Sequence, residues 1–282
     1  MPQEIRCDPL AVRTPDGLSI SAQAWGNPGG PEILFIHGFM QSHLSWARQT
    51  GSDLAGEFRM VTYDLRGHGD SEKPLEPERY RSGKAWADEL AAVIAAAGLK
   101  RPVLVGWSYA GRVISDYLEA YGAEGIAGIN LVNARTNSDP RYAGPFSSMR
   151  FAELFAEDLA TRIDATRAFL HACFSRQPSQ ADFEIMLAFN MMVSREVRAG
   201  MSGRPLDADA LYRRLALPVL VTFGIEDQIL TAEGARHAAA AIPGARLSLY
   251  DGVGHAPFWE DAPRFNAELA TFVREASGER SR

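Results

Sequence analysis

Short apolar runs alternate with longer amphipathic stretches along the chain. The runs are five to eight residues long, which is typical of strands and short for helices. They consist largely of Val, Ile and Leu without a polar face, as strands do when helices cover both faces of a parallel sheet. Six such runs occur, at residues 32–37, 58–64, 101–107, 126–132, 217–224 and 246–250. We therefore predict six strands of a mostly parallel sheet.

Helical periodicity occupies several of the stretches between these runs. From Ser82 to Gly98, apolar residues recur every three or four positions, and the glycine is typical of a helix end. The segments Ala110–Tyr121 and Ala262–Ala276 have the same periodicity. Because strands and helices alternate, the pattern predicts an α/β protein with a doubly wound sheet.

The N-terminal region departs from this alternation. Residues 18–25 read LSISAQAW, in which apolar positions alternate with small or polar ones. Alternation of this kind is typical of a strand with one buried face. We predict an antiparallel hairpin at one edge of the sheet.

A longer departure follows the fourth of the six runs. From residue 133 to about 216 no strand pattern occurs, and helical segments are predicted near 149–174 and 181–200. We predict that residues 134–213 form an all-helical insertion (the helical insertion). The core domain would then consist of residues 1–133 and 214–282.

Composition and charge limit the kinds of partner that the protein is expected to bind. The 282 residues include 29 Lys and Arg and 35 Asp and Glu, which gives a formal charge of −6 at pH 7. Without a basic patch or a run of like charges, neither a nucleic acid nor a membrane is expected as a partner. A chain of this length fits one large core with an insertion as well as two domains.

Cysteine and histidine usage argues against disulfides and metals. Cys7 and Cys173 are the two cysteines, and the six histidines show no spacing typical of metal ligands. The N-terminal residues are too polar for a signal peptide. We expect a cytoplasmic protein without a bound metal; its oligomeric state stays open, and a homodimer is one alternative.

A candidate nucleophile lies where a strand gives way to a helix. Residues 106–111 read GWSYAG, which approximates the pattern G-x-S-x-G with Ala110 at the position of the second glycine. A serine on such a sharp turn needs small neighbours so that strand and helix pass closely. Ser108 is therefore a candidate nucleophile, and the alternative is an ordinary loop serine.

A serine nucleophile needs a base, usually a histidine that a carboxylate orients. His255 and Asp227 each follow a predicted strand, at the sheet edge where α/β proteins place their sites. The rival carboxylates are Glu226 and Asp251. The segment after the preceding strand offers Asn130 and Asn133 but no carboxylate, so we prefer Asp227 as the acid.

Four sequence blocks resemble the α/β-hydrolase fold superfamily: FIHGF at 35–39, YDLRGHGDS at 63–71, GWSYAG at 106–111 and GHAPFWE at 254–260. The resemblance covers nearly the whole chain. It implies a mostly parallel, eight-stranded sheet, with the helical insertion as a cap over the active site. It also implies a triad of Ser108, Asp227 and His255.

The same resemblance implies further site residues. The backbone N–H groups of Phe39 and Tyr109 would form the oxyanion hole. His37 and His68 would hold the surrounding loops by hydrogen bonds. Substrate-pocket candidates are the side chains of Met40, Trp107, Phe155, Met186, Met191 and Phe258.

The implied reaction is acyl transfer through an acyl-enzyme, without a cofactor. A small to medium, apolar carboxylic ester or lactone is the expected substrate, since the helical insertion is rich in Phe and Met. A C–C bond hydrolase and a cofactor-free perhydrolase are alternatives on the same triad. A receptor-like protein that binds ligands with little turnover is an alternative of another class.

Overall fold

The computed structural model describes residues 7–278 of the protein, and eight strands in this range form one sheet. The strands are β1 Cys7–Arg13, β2 Ser19–Gly26, β3 Glu32–Ile36, β4 Arg59–Tyr63, β5 Val103–Trp107, β6 Gly128–Val132, β7 Val219–Gly224 and β8 Arg246–Tyr250. Their order across the sheet is β1-β2-β4-β3-β5-β6-β7-β8. β2 pairs antiparallel with β1 and β4, and the other pairs are parallel. The predicted eight-stranded, mostly parallel sheet and its N-terminal edge hairpin are confirmed.

Burial along the strands follows their position in the sheet. Every residue of β5, β6 and β7 is buried, as expected for strands with both faces covered. β8 differs, because it is an edge strand whose first residues, Arg246 and Leu247, are exposed. Burial on both faces therefore holds for the central strands and not for this edge.

Twelve α-helices connect or flank the strands in the described range. They are α1 Ala47–Thr50, α2 Leu54–Glu57, α3 Gly83–Ala96, α4 Ala110–Tyr121, α5 Pro145–Met149, α6 Leu159–Ala172, α7 Gln180–Met191, α8 Arg195–Met201, α9 Asp209–Tyr212, α10 Ala232–Ala241, α11 Pro257–Glu260 and α12 Ala262–Ala276. Short 3₁₀ helices occupy His43–Trp46, Pro77–Tyr80, Pro140–Tyr142 and Phe151–Phe155. The three helices predicted outside the insertion correspond to α3, α4 and α12.

The helical insertion is more broken than the sequence predicts. The stretch 149–174 divides into the end of α5, a 3₁₀ helix and α6, and the stretch 181–200 divides into α7 and α8. Side-chain caps explain two of these breaks. Asp158 accepts a hydrogen bond from the Thr161 N–H at the start of α6, and Ser194 accepts one from the Val197 N–H at the start of α8.

The carboxyl ends of the parallel strands gather the loops that carry the predicted site. Ser108 follows β5, Asn133 follows β6, Asp227 follows β7 and His255 follows β8. Their meeting at one edge is a consequence of the parallel register. Between residues 7 and 278, no helix combines the length and apolar character needed to cross a membrane.

Candidate active site

Ser108 occupies a strained turn between β5 and α4. Its φ is 56°, in the left-handed region that residues other than glycine rarely adopt. Its N–H donates to the Val132 carbonyl oxygen at 3.0 Å, and its own carbonyl accepts from the Gly111 and Arg135 N–H groups. These bonds hold the strained conformation from three directions. Strain of this kind is expected where a serine side chain must project from the sheet edge.

Small residues around Ser108 are required by close contacts. A Cβ atom on Gly106 would lie 2.5 Å from Ile114 Cδ1 and 3.2 Å from Ala110 Cβ. A Cβ atom on Gly38 would lie 3.1 Å from Ser108 Cβ. Ala110 is fully buried. The alanine therefore meets the steric need that a glycine meets in the strict pattern.

Asp227 and His255 form a buried pair. His255 Nδ1 lies 2.6 Å from Asp227 Oδ2, and neither side chain is exposed by more than 1 %. A carboxylate at Nδ1 assigns the proton to that nitrogen and leaves Nε2 with its lone pair. Within the described residues, Nε2 has no hydrogen-bond partner. The lone pair of His255 Nε2 is therefore available to accept a proton.

Trp107 connects this pair with the serine. Its indole Nε1 donates to the His255 carbonyl oxygen at 2.8 Å, and the two rings lie 5.5 Å apart between centroids. Because Trp107 precedes Ser108 directly, the histidine is fixed beside the candidate nucleophile. The rival carboxylates lie elsewhere: Glu226 and Asp251 are both exposed, whereas Asp227 is buried.

Two buried histidines support the loop after β3. His37 donates from Nδ1 to the Gly38 carbonyl oxygen and accepts at Nε2 from the Leu65 N–H. His68 donates from Nδ1 to the Arg66 carbonyl oxygen and accepts at Nε2 from the Met40 N–H. Burial lowers the pKa of His37 to about 4 and that of His68 to about 3, so both rings are neutral at pH 7. Their hydrogen bonds agree with the supporting role predicted for them.

Phe39 and Tyr109 contribute free donors beside Ser108. Both residues line the same cavity as Ser108. Neither backbone N–H donates a hydrogen bond to an acceptor in the described part of the chain. Met40, next to Phe39, is also held in the left-handed region, at φ 62°. The two amides are therefore available to a substrate oxygen.

A cavity of about 440 Å³ opens beside Ser108 between the sheet edge and the helical insertion. One part of its wall is apolar, with Phe151, Phe169 and Met201 from the insertion. Another part carries the arginines Arg112, Arg135 and Arg204, which the sequence did not single out. The volume fits a small to medium organic molecule.

None of the six predicted pocket residues lines this cavity among the residues described, and the pocket prediction needs correction. Met40 is fully buried, with its backbone held by His68. Trp107 and Phe258 are both buried and pack edge-on against each other, 4.8 Å between centroids. These three side chains are core packing of the sheet edge.

The other three predicted pocket residues pack within the helical insertion. Phe155 packs against Phe151, with 5.3 Å between the ring centroids. Met186 is buried on α7. Met191 lines a separate surface hollow near Arg195. The reason is the break between the short helices, which turns other residues of the insertion toward Ser108.

Comparison with known proteins gives the family. A family model described as alpha/beta hydrolase fold matches residues 31–262. The chain belongs to this family. The fold predicted from the four sequence blocks is thereby confirmed.

Several relatives of this α/β-hydrolase are named as esterases. A crystal structure of a putative aryl esterase from Burkholderia cenocepacia is 38% identical, with a TM-score of 0.91 over 96% of this chain and 100% of that one. An esterase structure from a Rhodococcus species is 34% identical, with a TM-score of 0.87 over 96% and 98%. A bifunctional esterase/perhydrolase from Acinetobacter calcoaceticus is 26% identical over 93% of this chain and 99% of its own length. Together with the family match, they confirm the prediction of a hydrolase.

Asn133 contacts the pair of Asp227 and His255 in this α/β-hydrolase. From the sequence it was considered only as a possible acid, and set aside because it has no carboxylate. Its Nδ2 donates to Asp227 Oδ2 at 2.8 Å, and its Oδ1 accepts from the Gly224 N–H. It is buried and left-handed, at φ 39°. The amide thus fixes the carboxylate from the neighbouring strand end. The sequence signal that could have indicated this contact is the position of Asn133 directly after β6, because the neighbouring strand β7 leads to the loop of Asp227.

Glu260 is a second residue that the sequence reasoning missed. Its Oε1 accepts from the Gly254 N–H at 2.8 Å, and its Oε2 accepts from the N–H groups of Ser175 and Arg176. The His255 N–H also donates to the Cys173 carbonyl oxygen. The end of the helical insertion after α6 therefore holds the histidine loop. The block GHAPFWE contains both Glu260 and Gly254, but the other two partners, Ser175 and Arg176, are distant in sequence.

Among residues 7–278, no three His, Cys, Asp or Glu side chains lie together as a metal site would require.

Proposed function

We propose that this α/β-hydrolase is a serine carboxylic ester hydrolase that acts on a small to medium ester or lactone. The observation that carries the proposal is the hydrogen bond of 2.6 Å between His255 and buried Asp227, beside a strained Ser108. The named esterases among its relatives support the same reaction class.

The first half of the proposed reaction forms an acyl-enzyme. His255 Nε2 takes the proton from Ser108 Oγ as that oxygen attacks the substrate carbonyl carbon. The negative oxygen of the tetrahedral intermediate accepts hydrogen bonds from the Phe39 and Tyr109 N–H groups; one such donor is worth about 10²- to 10³-fold in rate. The C–O bond to the alcohol then breaks, and the imidazolium gives its proton to the departing oxygen.

The second half releases the acid. His255 takes a proton from water, the hydroxide oxygen attacks the acyl carbon, and the bond to Ser108 Oγ breaks with return of the proton to that oxygen. Asp227 stays ionised and stabilises the imidazolium in both halves. Asn133 and Glu260 act as positioning residues for Asp227 and for the histidine loop.

The predicted apolar character of the substrate rested on the composition of the helical insertion. Because the six expected pocket residues lie outside the cavity wall, that composition no longer describes the substrate's surroundings. The apolar part of the wall supports an alkyl or aryl portion of the ester.

The test is reaction with a fluorophosphonate probe together with turnover of a panel of p-nitrophenyl esters and lactones. Wild-type protein is expected to label and to hydrolyse the short esters. Ser108→Ala should not label and should lose about 10⁴-fold or more in kcat. Ser147→Ala, which removes another serine hydroxyl of the same cavity, should still label. Labelling of Ser108→Ala at the wild-type rate would refute the proposal.

A perhydrolase reaction on the same triad is the second candidate, favoured by the bifunctional relative from Acinetobacter calcoaceticus. Hydrogen peroxide would replace water in deacylation and yield a peroxyacid. Formation of peroxyacid from a short carboxylic acid and peroxide, absent in Ser108→Ala, would establish it.

A further inference from the structure

Three arginines line one part of the cavity beside Ser108, and their partners differ. Arg204 Nη2 forms an ion pair with Asp116 Oδ1 at 2.7 Å, so a carboxylate balances its charge. Arg112 and Arg135 have no carboxylate within ion-pair distance in the described range. Two cations beside the candidate nucleophile are therefore without a counter-ion.

The guanidinium of Arg112 is anchored by neutral oxygens. It donates to the Pro205 carbonyl oxygen at 3.0 Å and to the Arg204 carbonyl oxygen at 2.6 Å, and its Cζ lies 5.9 Å from the Tyr109 ring centroid. The group is buried beside the residue that follows Ser108. Its position is fixed, and its charge is not neutralised by these contacts.

Arg135 has still fewer contacts. Its backbone N–H donates to the Ser108 carbonyl oxygen at 2.9 Å, which fixes the residue beside the nucleophile. Its half-buried side chain makes no hydrogen bond or ion pair with the residues that the structure describes. Burial lowers the pKa of both Arg135 and Arg112. A partly desolvated guanidinium without a partner loses hydration that a bound anion would replace.

Of the residues that the structure describes, a single carboxylate lies on the cavity wall, and it does not balance these charges. Asp139 lines the cavity, but both of its oxygens accept hydrogen bonds from Arg141. The Asp139 N–H donates a hydrogen bond to Asn137 Oδ1, which further fixes this residue in its own turn. The positive charges of Arg112 and Arg135 therefore remain available to a ligand.

We propose that Arg135, with Arg112, binds a carboxylate on the substrate, so that the preferred ester carries a free carboxylate apart from its scissile bond. This inference rests on the proposed ester hydrolysis and specifies its substrate class. Guanidinium groups bind carboxylates through parallel hydrogen bonds, which are stronger than those between neutral groups. The apolar wall then contacts the chain between the ester and the carboxylate.

The experiment compares two methyl esters with six-carbon acyl chains, monomethyl adipate and methyl hexanoate. The wild-type kcat/KM is expected to be at least about 10-fold higher for monomethyl adipate. In Arg135→Gln this ratio should fall by about 10- to 100-fold, mainly through KM, since a charge-assisted hydrogen bond is lost. Arg214→Gln, which removes an exposed arginine outside the cavity wall, should leave the ratio unchanged.

Failure of the inference can be separated from failure of the proposed function. If methyl hexanoate is hydrolysed in a Ser108-dependent way but equals or exceeds monomethyl adipate, the carboxylate site is refuted and the esterase stands. Calorimetry with monomethyl adipate tests the site without turnover. Ser108→Ala should bind it about 10-fold more tightly than the Ser108→Ala, Arg135→Gln double variant, and equal dissociation constants would refute the site.

Inorganic phosphate distinguishes another anion from a carboxylate. As a competitive inhibitor of wild-type hydrolysis, adipate should be effective at lower concentration than phosphate. The reverse order would contradict the assignment to a carboxylate.

Discussion

The loops at the sheet edge and the helical insertion face each other across the cavity, and they are built differently. Around Ser108, Asp227 and His255, buried side chains bind backbone groups of neighbouring loops, and three non-glycine residues are held at positive φ. The helical insertion consists of short, capped helices and leaves large apolar side chains exposed, Met149 at 74% and Ile185 at 54% among them.

This difference corresponds to two roles, the chemical step at the sheet edge and the selection of substrate by the insertion. The groups proposed for bond making and breaking lie on the sheet edge, where a displaced atom would cost rate. Most of the apolar wall comes from the insertion, where a substitution changes which molecules fit. The residues after α6 are an exception, because they hold the histidine loop through Glu260.

The largest predicted effect lies on the sheet edge. Asp227→Asn should lower kcat by about 10⁴-fold, because the amide favours the wrong histidine tautomer and cannot stabilise the imidazolium. Steady-state kinetics with a p-nitrophenyl ester measures the loss. The neighbouring Glu226→Gln changes an exposed side chain and should alter kcat by less than about twofold. A larger loss in Glu226→Gln than in Asp227→Asn would reverse the assignment of the acid.

The next effect concerns the helical insertion and its stability. Arg198 is buried and donates to the carbonyl oxygens of Val193, Leu154 and Asn190 and to Thr166 Oγ1. Arg198→Met should fill similar space but leave these acceptors without a donor, which would cost about 3 kcal/mol of unfolding free energy. Urea denaturation followed by circular dichroism measures this change.

Arg195→Met is the matched control for this effect. The Arg195 side chain is partly exposed and pairs with the exposed Glu157, so its loss should change the unfolding free energy by less than about 1 kcal/mol. Equal destabilisation by the two variants would show that the carbonyl contacts of Arg198 do not hold the insertion together.

A smaller effect on the sheet side depends on pH. Asp64 is buried, which opposes ionisation, but hydrogen bonds from His43 and the Asp70 N–H hold its pKa at about 2, below the ordinary 3.8. Since the folded pKa is the lower one, this stabilisation is present above pH 3.8 and is lost as pH falls through 2. The lowered pKa of Asp64 contributes about 2 kcal/mol to the free energy of unfolding at neutral pH, and about half of this contribution is lost by pH 3.

The isosteric variant Asp64→Asn isolates this contribution. Between pH 5 and pH 3, the unfolding free energy of the wild type should fall by about 1 kcal/mol more than that of Asp64→Asn. Parallel curves for the two proteins would mean that Asp64 does not titrate differently in the folded state.

The smallest effect is expected on the apolar wall. Phe151 lines the cavity, and its ring lies 5.6 Å from that of Phe39. Phe151→Ala should raise KM for p-nitrophenyl hexanoate by about fivefold, near 1 kcal/mol of lost apolar contact, with less change for the acetate. Leu159→Ala, at an exposed position of the same insertion, is the control. An equal loss of kcat for both esters would instead indicate that Phe151 affects the chemical step, as the residues at the sheet edge do.

Local patterns explain how much could be predicted from the sequence. The strands, the turn at Ser108 and the order of the proposed triad depend on residues close in sequence, and the parallel register then brings Asp227 to His255. The predicted domain boundaries, the cytoplasmic location and the homodimer stay predictions.

The cavity wall could not be predicted in the same way. It depends on where the helices of the insertion break and how they turn, and these are long-range packing effects. Met191 and Phe151 have similar sequence signals, yet Met191 lies at a separate hollow and Phe151 lines the cavity. Arg135 carries no local signal at all, because its importance comes from partners that it lacks in the described structure.

The bonds between Glu260 and the residues after α6 also constrain how a substrate can enter. The Cys173 carbonyl and the N–H groups of Ser175 and Arg176 are tied to the loop that carries His255. If the whole insertion moved away from the sheet as one rigid body, these hydrogen bonds would displace the loop of His255. An opening that keeps His255 in place must therefore pivot about residues 173–176. The parts of the insertion farthest from these residues would then move most.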